Sequence, residues 1–263
     1  MAIALRDDWN DRAAWDCFVE QHEQGRFCHL YSYGDVVACY GYKPERLAFL
    51  DGRNLVGVLP AALTASLLLG RKLVSQPFSE YGGLLLDPTL GGEDVCRVYA
   101  LLEAYLNRHR HLRALELHGA HGVPASHRPG PFVVEHPHHV AVLALDRPPD
   151  QLWRNVVQHS VRKGVTKAQT NGVAAFEECD AAVLRERFYP LYLKSMKRLG
   201  VPPHALAYYL RCFEFLGSRM KIFWAARERQ ILAGLLGFVC GKRVNIVNIV
   251  SDPESWKYAP NDL

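Results

Sequence analysis

Hydrophobic residues recur along this chain with two alternating periods. In the first half, apolar positions three and four residues apart predict helices at residues 13–24, 31–40 and 93–110. Short apolar runs bounded by turn residues predict strands at 46–50, 55–65, 72–76, 83–86, 114–117 and 140–145. Asp51-Gly52 separates the first two strands, and this dipeptide is typical of a tight hairpin. Residues 119–138, rich in Pro, Gly and His, predict a loop.

The same alternation returns after Pro148-Pro149. Helices are predicted at 152–172, 181–199 and 205–216, and strands at 173–177, 221–226, 231–240 and 244–250. Each half thus presents helices and then an antiparallel meander. We therefore expect an α/β (α+β) fold of two domains, residues 1–146 and 147–263, with mixed, largely antiparallel sheets flanked by helices. The second half has no counterpart of helix 93–110 and strand 114–117, so we expect it to be incomplete at its C-terminal end.

The helix predicted at residues 152–172 has one cationic face. Its apolar positions, which are expected to face the core, are Trp153, Val157, Val161, Val165 and Ala168. The opposite side carries His159, Arg162, Lys163 and Lys167, and no acidic residue occurs between Gln151 and Val173. Such a face is either an ordinary solvated helix surface or a site that binds the phosphates of a nucleotide-linked or tRNA-borne substrate. The absence of acidic residues from this segment favours the phosphate-binding site.

Residues 77–83, PFSEYGG, form the other candidate site. Glu80 is predicted to accept a proton from an attacking amine, and Tyr81 to stack on a ligand or donate a hydrogen bond. Gly82 and Gly83 can adopt backbone angles that expose amide groups to a ligand. The alternative is a turn between strands, with Phe78 in the core and Glu80 exposed. Two further carboxylates, Asp87 and Glu116, are alternative bases.

Several segments together resemble a known enzyme family. VGVLP (56–60), LLGRKLVSQPFSEYGG (68–83), LWRNVVQHSVRKGVTKAQTNGV (152–173), FYPLYLKSMKRLGVP (188–202) and YAPNDL (258–263) are similar to the FemAB-type branch of the GNAT acyltransferase superfamily. Within that branch, the chain most resembles the FemAB-like proteins found beside exosortase and exopolysaccharide systems. The resemblance implies two tandem GNAT-like domains. It also implies a helix and a last strand beyond the NDL segment, in line with an incomplete second domain.

The resemblance leaves the acyl donor open. GNAT enzymes that use acetyl-CoA usually carry an RxxGxG/A loop whose backbone amides hold the pyrophosphate. The corresponding junctions here, PTLGGE (88–93) and SDPESW (251–256), lack its arginine, and the second also lacks glycine. The best-known FemAB members instead take aminoacyl-tRNA and extend peptidoglycan peptides. We expect no bound cofactor, and a co-substrate that is either acyl-CoA or aminoacyl-tRNA.

Composition and charge limit the kinds of partner and the cellular environment that we expect for this protein. The net charge is +4, yet residues 151–200 alone hold nine Lys/Arg against four Asp/Glu, which favours a local anion site over a nucleic-acid surface and excludes DNA as a partner. The seven cysteines are scattered without a CxxC pair, and no apolar run is long enough to span a bilayer, so we expect a cytoplasmic protein without a transmembrane segment. Eight of the twelve histidines lie between His109 and His139, but their spacing matches no metal motif, and no metal is expected.

These observations predict an N-acyltransferase or aminoacyltransferase. It would join an activated acyl or aminoacyl donor to an amine on a cell-envelope or exopolysaccharide precursor, a small molecule or a nucleotide-linked one. Glu80 and Tyr81 are the predicted catalytic residues, and Gly82, Gly83, His159, Arg162, Lys163 and Lys167 are the predicted substrate-binding residues. Two alternatives stay open: an acyl-CoA-dependent GNAT N-acetyltransferase, and a non-catalytic binding module of an exopolysaccharide assembly system.

Overall fold

The protein, seen in a computed structural model, divides into two compact units. Residues 3–66, 70–79, 81–119 and 140–263 are described. The first unit consists of the described residues up to 119 together with Ala207–Arg219 and Phe238–Asn245. The second consists of residues 140–206, Met220–Gly237 and Ile246–Leu263. The division at residue 146 into two separate domains stays a prediction.

A six-stranded sheet forms the centre of the first unit. Its strands lie in the order β1 (Ile3–Arg6), β2 (Lys43–Asp51), β3 (Asn54–Ser66), β4 (Gly70–Val74) and β6 (Leu112–Glu116), while β5 (Leu85–Leu86) also pairs with β3. Every pair is antiparallel except β4 with β6. Asp51 pairs with Asn54, so a two-residue turn that begins at Gly52 (φ 62°) closes the predicted hairpin.

Strand β3 has two partners along the same edge. Its first part, at Gly57 and Val58, pairs with β5, and its last part, residues 62–66, pairs with β4. The chain between β4 and β5, residues 75–84, must therefore leave the sheet where β3 changes partner. This places most of the predicted PFSEYGG site in an excursion from a rigid sheet.

The helices of the first unit pack apolar faces on the core. They are α1 (Arg12–Gln21), α2 (Tyr33–Val37), α3 (Gly92–Arg108) and α8 (Leu206–Leu216), which confirms the helices predicted there. In α3 the buried residues are spaced by three or four positions: Val98, Tyr99, Leu102 and Tyr105. They join a cluster with sheet residues such as Leu47, Phe49 and Leu59. Acidic residues in the first turn of α3 and Arg108 in the last turn complement the helix dipole.

A four-stranded sheet has the order β10 (Arg243–Ser251), β9 (Gln230–Cys240), β8 (Met220–Arg227), β7 (Val173–Glu177). Strands β7 and β8 are antiparallel, and two-residue connections join β8 to β9 and β9 to β10. A small cluster of Ala168, Val173, Ala225, Leu232 and Ala233 is buried here, with Tyr258, Ala259 and Leu263 packed against it. The mixed, largely antiparallel α/β architecture predicted from the sequence is confirmed.

The remaining helices belong to the second unit: α4 (Pro149–Asn155), α5 (His159–Thr170), α6 (Ala181–Val183) and α7 (Tyr189–Leu199). A π-helical turn, Leu184–Phe188, links α6 and α7 into one continuous helix, as predicted for residues 181–199. The single helix predicted at 152–172 is wrong, because the chain breaks between α4 and α5. Two adjacent β-branched residues, Val156 and Val157, disfavour helix there, and Gln158 is extended (φ −60°, ψ 149°).

One predicted strand is absent. Residues 140–145 have no regular secondary structure, and their side chains are exposed, with Val142 81% and Leu145 65% accessible. An apolar run becomes a strand only where a neighbouring strand pairs with it. Residues 140–145 pair with no strand that the structure describes. Their apolar composition alone was therefore not sufficient to form a strand.

Two features of the whole chain bear on its environment. In the described ranges, no helix has both the length and the apolar character needed to cross a bilayer. All seven cysteines are free thiols, and Cys28, Cys212 and Cys240 are buried. Burial raises the pKa of the Cys28 thiol to about 12, which keeps it protonated.

Candidate functional site

The cationic side chains predicted to bind anions lie together on α5. His159, Arg162, Lys163 and Lys167 line one open depression of about 550 Å³, with Trp153, Thr166, Thr170 and Asn171 completing its wall. No carboxylate contributes to this wall. Among the described residues, neither Lys163 nor Lys167 forms an ion pair. The depression therefore presents unneutralised positive charge to a ligand.

Both lysines also line a second depression of about 440 Å³ on the neighbouring side of α5. Its other residues are Gly164, Trp256, Ala259, Pro260, Asn261 and Asp262. Trp256 and Asn261 are fixed by hydrogen bonds to the Ser251 hydroxyl, at 2.9 and 3.2 Å. We call the two depressions together the cationic face.

Gly164 explains how the last turns of the chain approach α5. A Cβ atom built on Gly164 would lie 2.2 Å from the Asp262 carboxylate Oδ2 and 2.8 Å from its Cβ. Glycine in a helix is unfavourable by about 1 kcal/mol relative to alanine, so its presence here reflects this contact. Gly164 thus permits a close approach that any other residue would obstruct.

Arg162 has a structural role that the sequence did not reveal. Its Nη1 donates to the carbonyl oxygens of Trp153, Arg154 and Val157, at 3.0, 3.1 and 2.5 Å. These carbonyls lie at and just beyond the end of α4, where they have no partner within the helix. Arg162 therefore fixes α4 against α5 and holds Trp153 at the rim of the depression. Its role in anion binding stays a prediction.

The apolar side predicted for this segment is wrong at two of its five positions. Trp153 is 40% and Val161 38% exposed, whereas Ala168 is fully buried as expected. Val157 and Val165 are half-buried. The break at residues 156–158 puts the two helices out of phase, so their apolar positions no longer form one stripe.

The excursion between β4 and β5 has a strained backbone. Gln76 (φ 44°) and Phe78 (φ 67°) adopt left-handed angles that cost non-glycine residues about 1–3 kcal/mol. Gly82 is at φ 111°, an angle open to glycine. Such strain is concentrated at binding and catalytic sites, where surrounding contacts must hold it. The predicted base Glu80 lies outside the described residues.

Hydrogen bonds hold this excursion in place. The Ser75 hydroxyl accepts from the His118 amide at 2.7 Å, and His118 Nδ1 donates to the Ser79 carbonyl at 3.1 Å. A Cβ on Gly83 would lie 2.4 Å from the His118 carbonyl oxygen, so only glycine fits there. On Gly82 it would lie 2.6 Å from the Gln76 Cβ. Both glycines are thus required by geometry; their exposure of amides to a ligand stays a prediction.

Buried His29 also forms a hydrogen bond to the excursion between β4 and β5. Its Nδ1 accepts from the Arg26 amide at 3.1 Å, and the ring bonds the Gly83 carbonyl. Burial, and then the positive charges of Arg26 and His22, lower the pKa of His29 to about 3. The imidazole is therefore neutral at physiological pH, with each nitrogen assigned to one partner.

An aromatic surface surrounds the strained residue Phe78. The Phe78 ring is 43% exposed, and its centroid lies 4.8 Å from Tyr40, 5.8 Å from Tyr42 and 6.3 Å from Tyr208. The hydroxyls of Tyr208 and buried Tyr33 are 2.9 Å apart, which anchors the group. The alternative interpretation of residues 77–83, in which Phe78 lies in the core, is therefore wrong. This surface follows no sequence period, so only the aromatic density of residues 31–42 hinted at it.

Tyr81 lies beside this surface in sequence but has its own partners. Its amide donates to the Ser79 hydroxyl at 3.2 Å, and the Arg26 guanidinium carbon is 5.1 Å from its ring centroid. Tyr81, Gly82 and Gly83 belong to the first unit, and the cationic face belongs to the second. The histidine-rich stretch 121–139 lies outside the described residues. In the ranges that are described, no group of three or more potential metal ligands occurs.

Comparison with known proteins identifies the fold. No family model matches the chain, and no curated protein matches its sequence. A solved structure entitled "Crystal structure of FemX" aligns with a TM-score of 0.74 and 13% sequence identity, covering 100% of this chain and 83% of that chain. The protein therefore has a Fem-like fold, in agreement with the tandem GNAT-like architecture expected from the sequence.

The buried His29 predicts a specific loss of stability in mild acid. The folded state keeps this imidazole neutral down to about pH 3, while the unfolded chain binds a proton below its ordinary pKa of 6.5. Its stabilisation is thus complete above pH 6.5 and is lost as the pH falls. We expect it to remove about 2 kcal/mol of unfolding free energy between about pH 7 and about pH 5. Urea denaturation at both values measures this.

The His29→Gln variant provides the comparison. It has no titrating group at this position, so its unfolding free energy should fall less over the same range, even though it is less stable at neutral pH. Equal pH dependence of the two proteins would show that His29 does not carry the effect.

Gly164→Ala tests the contact with Asp262. Helix propensity alone predicts that alanine stabilises the protein by up to about 1 kcal/mol. The structure predicts the opposite sign, a destabilisation of about 1–3 kcal/mol, because the new methyl group overlaps Asp262. Ser160→Ala, at an exposed position of α5, serves as the matched control and should be neutral or stabilising. A thermal melt in which Gly164→Ala is the more stable protein would contradict the packing.

Proposed function

We propose that this protein is a Fem-type transferase that forms an amide between an activated acyl or aminoacyl donor and an amine on a cell-envelope or exopolysaccharide precursor. The observation that carries the proposal is the first depression of the cationic face, whose wall holds no carboxylate, in a chain whose fold is Fem-like along its whole length. A fold alone does not specify chemistry; what each group of residues can bind does.

The cationic face suits the donor. Acyl-CoA and aminoacyl-tRNA both carry phosphates, and Lys163 and Lys167 lie one helical turn apart on the wall of the first depression, which holds no carboxylate. Asp262 lines the second depression beside both lysines but forms no ion pair with either. At the junction where GNAT enzymes hold the CoA pyrophosphate, this chain has a 3-10 turn, Pro253–Tyr258, capped by the Asp252 carboxylate. An acidic cap is a poor partner for pyrophosphate, which favours aminoacyl-tRNA as the donor.

The strained excursion suits the acceptor. The exposed Phe78 ring and its tyrosine neighbours offer an apolar face for a sugar or a base of the precursor. The fixed turn at Gly82-Gly83 and the half-buried His118 lie at the end of the same excursion. Rigid anchoring of this kind is what positions a nucleophile for attack.

The proposed chemistry is direct attack of the amine on the acyl carbon. The new C–N bond forms as the C–O bond of an aminoacyl ester, or the C–S bond of a thioester, breaks, and the leaving group takes up a proton. A base removes the proton from the amine. Glu80 is the base predicted from the sequence; His118 is a described alternative, because an Nδ1 that donates to Ser79 leaves Nε2 as an acceptor. Backbone amides would stabilise the developing oxyanion.

We assign the reaction to the cytoplasm, as expected from the scattered cysteines, which are free thiols in the structure.

Mass spectrometry of candidate amine acceptors tests the proposal. The protein is incubated with either acyl-CoA or aminoacyl-tRNA, and the gain in acceptor mass identifies the donor. The Lys163→Gln/Lys167→Gln variant should bind the donor about 10- to 100-fold more weakly, since each lost charge-assisted contact is worth about 1.5–3 kcal/mol before compensation. Transfer should fall by a similar factor at low donor concentration.

Lys197→Gln is the matched control, because it removes one exposed cation of α7 that lies outside both depressions. It should transfer at the wild-type rate. A mass gain with acyl-CoA alone would identify an acyl-CoA-dependent N-acetyltransferase. Donor binding without any mass gain would identify a non-catalytic binding module, and equal activity of all variants would remove the cationic face from the mechanism.

A further inference from the structure

Two arginines of the first unit bond the same short turn: Arg26 donates to the Gly25 carbonyl and Arg243 to the His22 carbonyl, which also accepts from the Gly25 amide at 3.0 Å. Arg26 precedes the 3-10 turn Phe27–His29, and its Nη1 donates to the Gly25 carbonyl at 3.0 Å while its guanidinium faces the Tyr81 ring. Arg243 is the first residue of β10 and is bonded through Nη1 to the His22 carbonyl at 3.4 Å. Burial, and then the positive charge of Arg243, lower the pKa of Arg26, so the two guanidinium groups interact unfavourably.

Neither arginine forms an ion pair with a residue that the structure describes. Two acidic residues of the same unit are already engaged elsewhere. Asp16 accepts from the Tyr31 amide at 2.8 Å and pairs with Arg12, and Glu20 pairs with Arg219. Each of these carboxylates therefore has an arginine partner other than Arg26 and Arg243.

Arg46, a cation of the same unit with only a structural role, provides a comparison for Arg26 and Arg243. Its side chain is 16% exposed, and it pairs with Asp35 at 2.8 Å and donates twice to the Tyr31 carbonyl. Two partly buried guanidinium groups that repel each other cost free energy unless an anion joins them. Held by Gly25 and Tyr81, the Arg26 guanidinium is also preorganised for two parallel hydrogen bonds to an oxyanion.

We propose that Arg26 and Arg243 together bind an oxyanion, a phosphate or a carboxylate, beside Tyr81. Tyr81 lies within the strained excursion, next to Gly82, so the oxyanion is a group on the acceptor and not on the donor. Only this assignment to the acceptor rests on the proposed function; the anion site itself does not.

Thermal unfolding with simple anions tests the site. The measurement uses the Lys163→Gln/Lys167→Gln background, so that the cationic face does not contribute, and compares sodium phosphate, sodium acetate and sodium chloride at equal ionic strength. We expect phosphate or acetate, but not chloride, to raise the Tm by about 3 °C at about ten times the Kd. A larger shift with phosphate identifies a phosphorylated ligand, and a larger shift with acetate identifies a carboxylate.

Arg26→Gln and Arg243→Gln should each remove most of this shift. Without added anion, Arg243→Gln should not lower the Tm, because it relieves repulsion; a purely structural arginine would give a loss. Arg53→Gln, in the exposed β2–β3 turn, is the control and should keep the shift. Should Arg26→Gln fail to fold, Arg26→Lys keeps the charge but not the planar fork, and should weaken the anion effect by about tenfold or more in Kd.

The outcomes separate this inference from the proposed function. An anion shift that survives both arginine substitutions overturns the inference, whether or not the protein transfers acyl groups. So does the absence of any shift in the parent background. An anion shift that both substitutions remove supports the inference even if no acceptor gains mass, in which case the proposed function fails and the anion site stands.

Discussion

The change of partner along β3 is the constraint on which the candidate acceptor site depends. Because β5 pairs with Gly57 and Val58 while β4 pairs with residues 62–66, the chain between them cannot stay in the sheet. Its carbonyls and amides then need partners elsewhere, and buried His29 and half-buried His118 provide them at Gly83 and Ser79. A rigid sheet thus fixes both ends of a segment whose backbone would relax if it were free.

In the second unit, side-chain contacts fix the position of the candidate site. Its basic helix α5 is held by Arg162, which bonds the carbonyls at the end of α4, and by Gly164, which admits Asp262 against the helix axis. Lys163 and Lys167 line both depressions, the second one together with Gly164 and Asp262. The contacts that fix α5 therefore leave both lysines accessible to a ligand.

Sequence periodicity was sufficient for most of the fold and for part of the site. Long elements with a clear period, such as α3 and β7–β10, lie where the pattern predicts them. The break before His159 was missed because Val157 also fits the helical spacing of apolar residues, which outweighed the low helix propensity of Val156-Val157. Residues 140–145 were predicted as a strand because strand pairing is a tertiary property that the apolar pattern does not contain. The left-handed angles of Gln76 and Phe78 leave no mark in a sequence, so the exposure of Phe78 could not be foreseen.

The cations of this protein differ in whether they have a partner, and this difference indicates where an anion could bind. Partly buried cations with a structural role here have partners: Arg46 has Asp35, Arg219 has Glu20, and Arg162 has three carbonyls. Lys163 and Lys167 in one unit, and Arg26 and Arg243 in the other, form no ion pair with a described residue. For the partly buried arginines the repulsion between like charges lowers the stability of the free protein, and an anion bound beside them would restore it. The exposed lysines carry no such cost, so within each unit the physical reason to expect an anion is different.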